Sequence, residues 1–208
     1  MGDLFHESVP DEWIDRVFAV MALSPQHTFQ VLTKRPVKMR DVLTADDVRT
    51  GIYNQADHLC EAIGWPRTCS IEWPLPNVWL GVSAEDQTRA DERIPDLLAT
   101  PAAIRFVSAE PLLGAINIAD AMMTYAALEV LFGKIERGER EPRGSLNWII
   151  AGGESGPGAR PMHPDWARSI RDQCQAAGMP FFMKQMSGAV KARMPPIPSD
   201  LMVREFPK

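Results

Sequence analysis

The tetrapeptide Val-Ser-Ala-Glu occurs twice in this sequence, and each copy closes an apolar run. Val82–Glu85 follows Asn77–Gly81, and Val107–Glu110 follows Ala103–Phe106. A third run, Trp148–Ala151, ends in Gly152-Gly153-Glu154-Ser155. Short apolar runs bounded by polar and glycine residues read as buried strands. Two further runs read the same way. His27–Leu32 stops at Thr33-Lys34-Arg35-Pro36, and Pro180–Met183 stops at Lys184-Gln185.

Helical spacing fills the intervals. Asp11–Leu23 places Trp13, Ile14, Val17, Phe18, Val20 and Met21 on one side, with Pro10 and Asp11 as start signals and Pro25 as the stop. Helices are also expected over Val37–Leu43, about Ala45–Ile63, about Thr88–Ala99 and Pro164–Ala177. Strict alternation of helix and strand implies right-handed βαβ units and a parallel sheet. The expected fold class is therefore α/β, a partial (β/α) TIM-like barrel. A closed barrel needs about eight strands. Met1–His6 reads as the loop after a further strand, so N-terminal βα units are expected to be missing. The chain reads as a single incomplete barrel domain over 1–208. Within it, 115–145 is expected as a helical insertion ending in the charge run Lys134–Arg143, and 186–208 as an irregular tail.

At 208 residues the chain can bury a sizeable core. Its 45% hydrophobic and 24% charged content is that of an ordinary globular protein, and it holds no apolar stretch of membrane-spanning length. With no signal-peptide pattern at the N-terminus, a cytoplasmic location and no membrane partner are expected. A net charge of -5 argues against gripping nucleic acid by bulk electrostatics and leaves a local basic patch as the one route to it. The three cysteines, Cys60, Cys69 and Cys174, form no C-x-x-C pair and read as reduced thiols. His6, His27, His58 and His163 have no metal-ligand spacing, so no histidine metal site is expected. A Gly-x-Ser-x-Gly elbow is absent, which removes support for a hydrolase triad. Trp13, Trp79, Trp148 and Trp166 fall on apolar faces and read as core.

Parallel strands place their carboxyl ends on one rim, where α/β proteins locate their chemistry. The rim collects Thr33, Lys34 and Arg35; Ser83 and Glu85; Ser108 and Glu110; Gly152, Gly153, Glu154 and Ser155; and Lys184 and Gln185. Asp3 and His6 can join from the front of the chain. Carboxylates beside Lys and Arg suit two tasks. They can tune one another for acid/base work, or hold a zwitterion with Glu on its amino group and Lys or Arg on its carboxylate. They can equally be structural ion pairs. The turn Gly152–Gly158 lets backbone amides approach an anion, with Arg160 just downstream, or is simply a tight connection.

Nearly the whole chain resembles a phage-associated family of unknown function, the phage gene-product 37/68 family. The resemblance lies in Gly2–His6, Phe29–Pro36, Asn77–Ser83, Arg93–Pro95, Ser108–Gly114, Trp148–Gly156, Arg160–Met162 and Phe181–Gln185. That family in turn resembles radical S-adenosylmethionine enzymes, most nearly the spore-photoproduct-lyase branch. The resemblance implies a partial barrel with S-adenosylmethionine and a [4Fe–4S] cluster on a C-x-x-x-C-x-x-C loop after the first strand. It makes Ser83, Glu85, Ser108, Glu110, Gly152, Gly153, Glu154 and Ser155 the cofactor side of the rim. Lys34, Arg35, Arg160, Lys184 and Gln185 become its substrate side, with no catalytic residue assigned.

The cysteine loop is not in this sequence, and Cys60, Cys69 and Cys174 lack the spacing to replace it. A truncated form or mis-started frame is therefore expected, with no cofactor on this chain alone and no catalysis by itself. Two other readings stand beside this one. The chain could be a non-catalytic accessory or binding protein of a phage or mobile element that self-associates or binds a partner chain through the open sheet edge near 28–32. Or it could be a cofactor-free barrel lyase or isomerase that uses Lys184.

Overall fold

A computed structural model describes residues 2–66, 70–120, 145–190 and 194–207. Helix α1 spans Asp11–Ala22, strand β1 Phe29–Thr33, α2 Pro36–Thr44, α3 Val48–Ile63 and β2 Val78–Ser83. Then come α4 Gln87–Ala99, β3 Ile104–Ala109, β4 Trp148–Gly152, α5 Pro164–Ala176 and β5 Phe181–Gln185. Local chemistry sets several of these ends. The Asp86 carboxylate caps α4 by accepting a hydrogen bond from the Arg89 amide at 2.9 Å. Pro36 and Pro164 sit in the first turns of α2 and α5, where a missing donor costs nothing. Gly64 ends α3 in the left-handed conformation at φ 72°.

The five strands form one wholly parallel sheet in the order β1-β2-β3-β4-β5. Each strand therefore lies beside its predecessor in sequence, and the winding never reverses. Right-handed crossovers in a sheet wound one way put every connecting helix on the same face. The core agrees. Val31, Leu80, Val82, Val107, Ile149, Ala151, Phe181 and Met183 belong to one cluster with Ile14, Phe18, Met39, Ile94, Leu97, Ala167 and Ile170 of the helices. The expected α/β class with a parallel sheet holds. The sheet does not close, because β1 and β5 are its two edges and five strands span less than the circumference that about eight complete.

Side chains alternate along a strand, so a second face exists. It is aromatic. Trp148 packs against Trp79, Phe106, Phe182 and Phe206, with ring centroids 5.4–6.0 Å apart. Phe106 and Trp148 are almost wholly buried yet stand outside the helix-facing cluster. Gly81 lies beside this group because a Cβ there would stand 2.4 Å from the Phe106 ring.

The tail differs from the irregular segment expected over 186–208. The short 3-10 turn Ser199–Leu201 is held to α5 by Arg168 and Arg171, which both pair with Asp200. Beyond it, the Met183 amide donates to Val203 O and the Glu205 amide to Phe181 O, so 203–205 covers the β5 edge in antiparallel fashion. Phe206 then lies on Trp148 and Phe182. Trp13, expected in the core, is 64% exposed on α1. The helical insertion expected over 115–145, with its charge run, falls mostly outside the described residues, as does Cys69.

Candidate functional site

The register of the sheet brings the two Val-Ser-Ala-Glu copies level. Ser83 pairs with Ser108, and Ser108 with Ile150. Ser83 and Ser108 therefore form the last layer above the aromatic face. Their glutamates follow just beyond, at the carboxyl ends of β2 and β3.

Glu85 is 11% exposed at its side chain and bound on both oxygens. Lys34, from the end of β1, contacts Oε1. Arg93, from α4, donates to Oε2 at 3.0 Å and also to the Ser83 carbonyl at 2.9 Å. Burial alone would raise the Glu85 pKa, but the Lys34 hydrogen bond and the charges of Arg93 and Lys34 outweigh it and hold the carboxyl below its usual range.

Glu110 is 16% exposed and bound on one oxygen. Oε2 accepts from Ser108 Oγ at 3.0 Å and from Lys184 Nζ, at the end of β5, at 3.1 Å. The neighbouring strand contributes a space: a Cβ on Gly152 would stand 2.4 Å from Glu110 Oε1. Thus β3, β4 and β5 jointly build one carboxylate, one lysine and one glycine against which the carboxylate packs.

The Gly-rich turn behaves as a tight connection. The Gly153 amide donates to Gln185 O at 2.9 Å, and the Gln185 side chain returns a hydrogen bond to Gly153 O at 3.0 Å. Gly156 and Gly188 extend this zipper, and Ser155 bridges to Gly188. Gly153 is required by close approach, since a Cβ there would meet the Ser187 amide at 2.3 Å. With these amides bonded to backbone, the turn does not present a free anion cradle at 153 and 156. Glu154 folds back to Arg160, accepting from both its guanidinium and its amide at 2.8–2.9 Å. Those bonds hold its pKa at about 2.

Not every expected residue joins the centre of the rim. Arg35 pairs with Asp3 and Glu7 and faces the N-terminal loop. Asp3 does join the end of β1. It accepts from Thr33 Oγ1 at 2.7 Å and from the Lys34 amide at 3.1 Å. His6 turns away to Ser8. Arg93 is the residue that strand-end reading missed. It lies eight positions after Glu85, on the first turns of the following helix, where a side chain can reach back over the strand end.

The described cysteines do not assemble. Cys60 and Cys174 are buried in α3 and α5, and burial pushes the Cys174 thiol up to about 12. Among the described residues, no group of three His, Cys, Asp or Glu side chains could hold a metal ion. Nor is any described helix long and apolar enough to cross a membrane.

No curated protein and no solved structure matches the chain. The model of one family, described as "Protein of unknown function (DUF5131)", matches residues 1–205, and the chain belongs to that family.

Proposed function

We propose that the strand-end rim binds a zwitterionic small molecule of the S-adenosylmethionine class, in a barrel wall of the radical S-adenosylmethionine kind. The observation that carries this reading is the pairing of Glu85 with Lys34 and of Glu110 with Lys184 on one rim. Each pair joins different strands, and each offers an anion and a cation side by side, as a ligand with an ammonium and a carboxylate requires. The one-way winding supports the barrel reading, because it puts the helices outside and leaves the aromatic face where a barrel keeps its interior. The phage association rests on the resemblance of the segments from Gly2 to Gln185.

The iron–sulfur cluster does not fit the described residues. Two buried thiols on separate helices cannot supply three close thiolates. We therefore assign this chain the ligand-holding wall and derive no radical step from it. Equilibrium dialysis with S-adenosylmethionine and S-adenosylhomocysteine tests the reading. Saturable binding that weakens in Glu110→Gln is expected; no binding to a folded wild-type protein contradicts it.

A second reading is favoured by the contrast between the two sheet edges. Residues 203–205 cover β5, whereas β1 has no second neighbour among the described residues, and Leu32 within β1 is 39% exposed. An accessory protein that takes an extended strand of another chain along β1 would use this edge. Light scattering on wild type and Leu32→Lys checks it: a partner-dependent assembly lost in the variant supports the reading, and a monomer in both counts against it.

A further inference from the structure

Glu85 and Glu110 close identical tetrapeptides, yet their oxygens are used differently. Glu85 is saturated. Lys34 takes one oxygen and Arg93 the other, and Arg93 also anchors the Ser83 carbonyl. This glutamate ties β1, β2 and α4 together. Glu110 is half used. Ser108 and Lys184 both address Oε2, while Oε1 accepts no hydrogen bond among the described residues. Oε1 is also the atom nearest the missing Cβ of Gly152.

We propose that Glu110 is the ligand-facing carboxylate of the rim, receiving a primary ammonium group on Oε1, and that Lys184 is an internal cation which balances the site until the ligand displaces it. The inference rests on reading the rim as a small-molecule site, and it names the group recognised there. Three features build it. Ser108 Oγ fixes the orientation of the carboxylate by holding Oε2 from below. Gly152 makes room for Oε1 itself, because a Cβ there would stand 2.4 Å from that oxygen. Lys184 is 55% exposed at the end of a flexible stem, so it can swing away without disturbing the sheet and can meet the anionic end of the same ligand. The order is an exchange of one ammonium for another at one carboxylate, the ligand taking Oε1 as Lys184 leaves Oε2, with no net change of charge at the site. Glu85 offers no such free oxygen, since Lys34 and Arg93 fill both.

The test is an NMR chemical-shift titration with methylamine as the probe and tetramethylammonium, which has no donor, as control. Lys184→Met is expected to bind methylamine about fivefold more tightly than wild type, since the internal competitor is gone. In that background, Gly152→Ala and Glu110→Gln are each expected to lose about tenfold, while tetramethylammonium binds neither better nor worse. Glu110 Oε1 is the end of a flexible side chain, so Ala at 152 displaces the carboxylate rather than the backbone. The isosteric Glu110→Gln keeps the test valid should Gly152→Ala misfold. Unchanged methylamine affinity in Lys184→Met, or indifference to Glu110→Gln, overturns the assignment. If methylamine behaves as described but no adenosyl ligand binds, the assignment stands and the broader function fails. If adenosyl ligands bind and methylamine ignores Lys184, the reverse holds.

Discussion

At the scale of single residues, the rim shows how similar side chains acquire different duties. Glu154 gives its charge to Arg160, and the three hydrogen bonds from that residue bring its pKa from 4.5 to about 2. A carboxylate with a depressed folded-state pKa adds stability above its ordinary range and loses it as the pH falls towards about 2. Following the Glu154 carboxyl by NMR should therefore show a midpoint near that value, and Arg160→Ala should move it up towards 4.5. A wild-type midpoint in the ordinary range would remove the pair. Cys174 carries the opposite shift. Burial in α5 holds its thiol at about 12, so it should resist alkylation at neutral pH until the protein unfolds. Rapid labelling of the native protein at Cys174 would show that α5 does not seal it. The residues at strand ends were legible because a strand delivers its next side chain to a known place. Which carboxylate is saturated was not legible, since Arg93 reaches Glu85 from a helix and no local pattern marks that contact.

At the scale of elements, register and close approach do most of the work. Gly81 faces Phe106 across β2 and β3 at a distance that leaves no room for a methyl group, and Phe106 is 2% exposed. Gly81→Ala should cost about 1–3 kcal/mol in urea unfolding, the usual penalty of overpacking. A neutral result would mean that the aromatic face is loosely packed. Asp86→Ala should cost about 1 kcal/mol through loss of the α4 cap, with no effect on the aromatic fluorescence. The five strands of the sheet and the described helices were readable from apolar runs and helical spacing, with ends shifted by a residue or a few. Three facts were hidden. Trp13 sits on the apolar side by spacing, yet the neighbours that would cover it are set by tertiary packing of α1 on α3. The docked tail was read as irregular because its prolines suppress any strand signal, while its pairing to β5 needs only three residues. The glycine turn stayed open between an anion cradle and a tight connection because sequence does not show that the carbonyls of Gln185 and Gly188 take up its amides.

At the scale of the whole molecule, a parallel sheet wound in one direction divides the protein into a helix-packed core, an aromatic face and a charged rim. The winding explains why the rim can gather Lys34 from the first strand and Lys184 from the last around two central glutamates. The two edges are unequal, since the tail caps β5 while β1 has no second neighbour among the described residues. Reconstitution of the purified chain with iron and sulfide should give no visible cluster band, given the burial of Cys60 and Cys174. A stable cluster would show that this thiol geometry is wrong. The rim itself is tested most directly by a crystal structure with S-adenosylhomocysteine. The ligand should lie across the carboxyl ends of β2 to β5, its ammonium on Glu110 Oε1 beside Gly152 and Lys184 moved off Oε2. Ligand seated at the amino ends of the strands, or a rim unchanged at saturating ligand, would contradict the account.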